Sequence, residues 1–79
     1  MINLKGIVIA ADWGPNGEVL TVDIAGYDEK RYRVSDDPKG RLLKEYIQAK
    51  VVVEGKVGNE KQQEVIFVQN FWLDDAESD

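Results

Sequence analysis

Arg31 and Arg33 stand two apart in the stretch RYRV, the spacing that sends two side chains to one face of a strand. Two guanidiniums on one face can begin a positive groove of the kind that follows a nucleic-acid backbone. They can equally be a solvated strand face paired across to Asp23. Trp13, in DWGPNG, poses a matching question. Its ring could be held out for a ligand to stack on, or could pack against the open rim of a small barrel. Thr21, Asn16, Lys61 and Gln62 supply hydroxyl, amide and ammonium groups near these residues.

Covalent chemistry has little to work with. The chain has no histidine and no cysteine, so the commonest general base, a thiolate nucleophile and a thiolate metal site are all missing. Ser35, Ser78, Thr21 and the tyrosines lack a histidine to activate them. Asp36-Asp37 could be read as a carboxylate pair, but Asp37 before Pro38 is also a helix N-cap with proline at the first helical position. Asp12, Asp23 and Asp28 show no metal-loop spacing, and GPNG has no lysine placed as in a phosphate loop. No catalytic residue, metal or cofactor is expected, and the chain is not expected to be an enzyme.

Seventy-nine residues make one domain, and 43% hydrophobic content is that of a folded one. The net charge of −5 is unevenly placed. Residues 74–79, DDAESD, hold four acids and no base, so the body of the chain is nearly neutral. This end is expected to be a disordered acidic tail after a domain spanning residues 1–73. The apolar run Ile7–Ala11 is too short for a signal peptide, and no stretch is long enough for a membrane span. A cytoplasmic monomer without membrane contact is the expectation.

Five segments alternate with a strand period and one does not. Residues 2–13 are apolar on both faces, as in a strand covered on both sides, and Gly6 suggests a bend or bulge. GPNG forms a turn with Pro15 and Asn16 at its centre. Residues 18–26 place Leu20, Val22 and Ile24 against Val19, Thr21 and Asp23. RYRV points Tyr32 and Val34 inward. In residues 39–48, Leu42, Leu43, Tyr46 and Ile47 share a helical face, and Gly40 argues for a start nearer Arg41. Residues 50–57 and 64–73 are strands joined by the polar loop GNEKQQ, with Ile66, Val68 and Trp72 on one structural face. Leu20, Val22, Tyr32, Leu43, Ile47, Val53, Ile66 and Val68 are the expected core.

The order β-β-β-α-β-β needs closure to bury its apolar faces, which a small barrel provides. The fold class is therefore mainly β: a five-stranded Greek-key barrel with one α-helix between strands three and four. Val51, Val53, Gly55 and Val57 before a polar turn, then Ile66 and Val68, resemble the closing hairpin of small bacterial OB-fold domains. YRVSDDPKGRLLKEYIQ resembles the strand and helix that precede it, and the likeness runs over roughly residues 4–73. It implies a ligand face on strands two and three, flanked by the loops between strands one and two and between strands four and five. That face and its loops would hold Trp13, Asn16, Thr21, Arg31, Arg33, Asn59, Lys61 and Gln62. The implied ligand is a single-stranded nucleic acid or an oligosaccharide, bound weakly because Asp23 and nearby acids offset the arginines. The alternative is a protein partner.

Overall fold

A computed structural model describes residues 1–74. Its strands are β1 (Ile2–Trp13), β2 (Val19–Gly26), β3 (Arg31–Val34), β4 (Lys50–Glu60) and β5 (Gln63–Leu73). One short helix, α1 (Pro38–Leu42), tightens into a 3₁₀ turn at Leu43–Tyr46, between β3 and β4. The strands close into a barrel in the order β1-β2-β3-β5-β4, with β4 returning to β1. Every pairing is antiparallel except β3 with β5, which run parallel at Arg33↔Val65 and Val34↔Ile66. The fold class is the expected one. Among the described residues, no helix is long and apolar enough to cross a membrane.

The hairpins follow from their turn residues. The Gly17 N–H donates to the Gly14 carbonyl at 3.1 Å, which puts Pro15 and Asn16 at the centre of the first turn. The Glu29 N–H donates to the Gly26 carbonyl at 3.0 Å in the second. The third is tighter than GNEKQQ suggests. Only Lys61 and Gln62 lie in the loop, with φ of 53° and 67°, the signature of a two-residue turn that matches strand twist. Both strands therefore run further than expected, and Asn59 pairs with Glu64 inside the ladder.

Val22, Tyr32, Leu43, Val53, Ile66 and Val68 are in the core, joined by Leu4, Val8, Ile24, Val34 and Val51. Ile47 packs against that core half-buried. Leu20 is not in it: the side chain is 45% exposed. The cause lies in the pairing. Asp12 faces Thr21 but Trp13 faces Val19, so β2 spends two residues where β1 spends one. This irregularity inverts the alternation, sending Leu20 outward and letting Val19 pack on the core. No register break occurs at Gly6, which pairs with Gly26 on one side and Val51 on the other.

A break in the β4–β5 pairing reverses the end of β5. Glu54 faces Asn70 and Gly55 faces Val68, leaving Gln69 as the extra residue. Phe71 therefore packs on the core, and Trp72, expected to be structural, is 45% exposed. Gly55 lets this happen: a Cβ there would run into the Phe67 carbonyl. Phe71 also meets Tyr46 edge-to-face, with ring centroids 5.7 Å apart.

Asp37 caps α1 as its position implies, its Oδ1 accepting the Gly40 N–H at 2.8 Å. The helix begins at Pro38, not near Arg41. Gly40 is tolerated early in the helix because it is buried where a Cβ would meet the Ser35 carbonyl. The change to 3₁₀ winding rotates the expected apolar face: Leu43 is buried, while Leu42 and Tyr46 are exposed. Of the expected acidic tail, residues 75–79 lie outside the described residues. Asp74 donates its N–H to the Lys50 carbonyl at 2.8 Å.

Candidate functional site

The site is built on the outer surface of β2 and β3. Val22 and Ile24 face the core, so Asp23 between them faces outward; Tyr32 and Val34 do the same for Arg33. Asp23 and Arg33 are direct cross-strand partners, and Arg31 is one step diagonal, opposite Ala25. The Arg33 Nε donates to Asp23 Oδ1 at 3.0 Å, and the Arg31 Nε lies 3.3 Å from Oδ2. Covered by both arginines, Asp23 is only 3% exposed although it lies outside the barrel. The pairing anticipated for a plain strand face is thus present, and it occupies the donor of each guanidinium nearest the backbone.

The row continues across the sheet. Ile9, Asp23, Arg33, Val65 and Gly58 are successive register partners on β1, β2, β3, β5 and β4. Val65 is buried on this outer side, and Phe67, two residues on, stays 38% exposed. Beside them runs a groove of about 470 Å³ whose walls include Thr21, Arg33, Val65 and Phe67. Asp36, Asp37 and Glu60 complete its charged lining, three acids against the one base. Asp36 is paired to Arg41, whose Nε donates to Oδ1 at 2.8 Å. That hydrogen bond, reinforced by the guanidinium charge, holds the Asp36 carboxyl below its ordinary range and Arg41 above its own. Asp37 accepts the Ser35 hydroxyl at 2.6 Å on the oxygen not used for the cap. Among the described residues, no three carboxylates stand together in a way that could hold a metal ion.

Thr21 adds an unusual feature. Its Oγ1 is buried and has no hydrogen-bond partner. The residue lines both the groove and a small open pocket of about 10 Å³ that Ser35 and Asp36 also line.

The turn at the far end of the arginine ladder is fixed by Asp28. It accepts the Lys30 N–H at 3.0 Å and the Tyr32 hydroxyl at 2.8 Å. Those bonds, that from Lys30 foremost, hold the Asp28 carboxyl below its ordinary range. Donating to Asp28 from a buried position pushes the Tyr32 phenol up to about 12.

Of the residues singled out from sequence, Thr21 and Arg33 line the groove, and Arg31 flanks it through Asp23. Lys61 and Gln62 are exposed at the hairpin tip next to Glu60. Asn16 is exposed in the first turn, its N–H donating to Glu18 Oε1 at 3.1 Å. Trp13 is 60% exposed but lines a different groove, of about 370 Å³, with Ile9, Ala10, Val19, Ile47 and Gln48. The two grooves share no lining residue. Only Thr21 and Arg33 of the groove lining were expected in the site; Val65, Phe67, Glu60 and residues 34–37 were not. Strand alternation marks Val65 as outward from Ile66, which is the available signal. Comparison of the chain with protein-family models, with curated proteins and with solved structures finds no match.

Proposed function

We propose that this chain is a small, non-enzymatic binding module of the OB-like kind, and that its β2–β3–β5 groove holds a protein partner. The strand order β1-β2-β3-β5-β4 with a short helix before β4 is compatible with that fold, and the resemblance of the closing hairpin supports it. The observation that carries the choice of partner is the state of the arginines. Arg31 and Arg33 both spend charge on buried Asp23, and the other charged residues of the groove are acidic. A polyanion would release few counterions here and would find one exposed ring, Phe67, to stack on. An apolar patch of Val65 and Phe67 with a polar rim is the anatomy of a modest protein interface. The notion of a nucleic-acid or oligosaccharide ligand is the weaker reading on these grounds.

The test is a titration of ¹⁵N-labelled protein with three ligand classes: mixed-sequence single strands, neutral oligosaccharides, and pooled short peptides. Peptides are expected to move the amides of Thr21, Arg33 and Phe67, and the other two classes to leave them in place. If single strands move those amides in a salt-sensitive way, and Arg33→Gln abolishes the shifts, the nucleic-acid reading replaces this one.

A further inference from the structure

Resting on the reading of the groove as a protein-binding site, we infer that the partner inserts a lysine or arginine side chain into it. The charges select this chemistry. Arg33 and Arg31 share the single charge of Asp23, at 3.0 and 3.3 Å, and Arg41 offsets Asp36 at 2.8 Å, so the groove and its flanks hold four acids against three arginines. Among the described residues, Asp37 and Glu60 stand in no ion pair, yet both line the groove. Asp37 keeps acceptor capacity after taking the Gly40 N–H and the Ser35 hydroxyl, because each carboxylate oxygen carries two lone pairs. Glu60 sits at the end of β4, paired with Gln63 through the backbone, and its exposed carboxylate has no hydrogen bond among the described residues.

The rest of the lining is apolar where a side-chain stem would lie. Val65 is buried in the floor, and the exposed Phe67 ring rests beside Gly58, where the absence of a side chain gives it room. A lysine or arginine matches both halves at once: its methylenes cover Val65 and Phe67 while its head reaches a carboxylate, with added attraction to the ring face. A glutamate in the same place would face two acids that stand in no ion pair among the described residues. A glutamine would satisfy neither charge.

Four twelve-residue peptides test this, alike in a neutral Ser/Ala/Leu background and differing at one central position: Lys, Arg, Gln or Glu. Each is titrated into the labelled full chain at low and at moderate salt. The Lys and Arg peptides are expected to move the amides of Arg33, Glu60 and Phe67, more strongly at low salt. Glu60→Gln should weaken that binding about three- to fivefold, as for a partly exposed charge pair. Glu60→Lys should abolish it and transfer the preference to the Glu peptide. Because Glu60 is exposed beside a turn, both variants should keep the wild-type amide spectrum elsewhere. Equal shifts with the Gln or Glu peptide would overturn the basic-side-chain inference while leaving the groove as a peptide site. No groove shift with any peptide, alongside shifts with single strands, would overturn both.

Discussion

Asp23 and Arg33 face each other across the β2–β3 ladder and are joined at 3.0 Å on the outside of the barrel, where the arginine leaves the carboxylate almost no contact with water. Arg31 takes the other carboxylate oxygen, but at 3.3 Å and from a side chain 62% exposed, against 36% for Arg33. The two arginines are therefore unequal. Arg33→Ala removes the closer and less exposed of the two partners of a buried acid and should cost about 1–3 kcal/mol. Arg31→Ala should cost less than about 1 kcal/mol, the range of exposed pairs. Chemical denaturation of both single variants, and of each combined with Asp23→Asn, measures the two couplings. Equal losses would show that Asp23 does not discriminate between them.

Thr21 invites a substitution that improves the protein. Its buried Oγ1 makes no hydrogen bond, so its hydroxyl carries a desolvation cost without return. Thr21→Val keeps the branched shape suited to a strand and should leave Tm unchanged or raise it. Thr21→Ser keeps the hydroxyl, loses a methyl and should lower Tm. A loss of more than about 1 kcal/mol in the valine variant would mean that the hydroxyl has a partner.

Alkaline pH should act through Tyr32. Its folded pKa, about 12, lies above the ordinary 10.0 because it donates to Asp28 and is buried. The protonated phenol is thus favoured by folding. That contribution is whole below pH 10.0 and is lost as the pH climbs toward about 12. Tyr32→Phe should cost about 1 kcal/mol at neutral pH and should show a shallower fall in stability across that alkaline window. In the wild type, tyrosinate absorbance should reveal one of the three tyrosines titrating late. Identical alkaline profiles for the two proteins would rule the Asp28 bond out as the cause.

The strand irregularities give a contrast between similar residues. Ile66 is fully buried, so Ile66→Ala should cost about 2–4 kcal/mol. Leu20, turned outward, should tolerate Leu20→Ser within about 0.5 kcal/mol. Thermal melts of the two variants check this, and a large loss at Leu20 would restore the uninterrupted alternation.

That contrast also marks how far the chain could be read unaided. Val22 with Ile24, and Tyr32 with Val34, alternate cleanly and lie inside as the period requires. The same period fails at Leu20 and Trp72 because an extra residue shifts each strand by one step, and no local residue type announces it. Gly55, at the break in the β4–β5 pairing, is the one trace. The Asp23–Arg33 contact was legible because a short hairpin sets its register. The groove was not, since it depends on β5 reaching across to pair in parallel with β3, a contact between distant parts of the chain. Trp13 drew attention by its type, but it lines a groove with Ile47 and Gln48 and not the one that Arg33 lines.

The most direct test follows the Arg33 side chain itself while a mixed-sequence single strand is added at low salt. The Nε–Hε resonance reports whether that guanidinium stays on Asp23 or turns to phosphate. With the arginines committed to Asp23 and acids lining the groove, the resonance should stay fixed and the neighbouring amides of β2 and β3 should not move. A saturable shift of Arg33 Nε–Hε that disappears at moderate salt would show a nucleic-acid site on this face and would contradict the protein-partner reading.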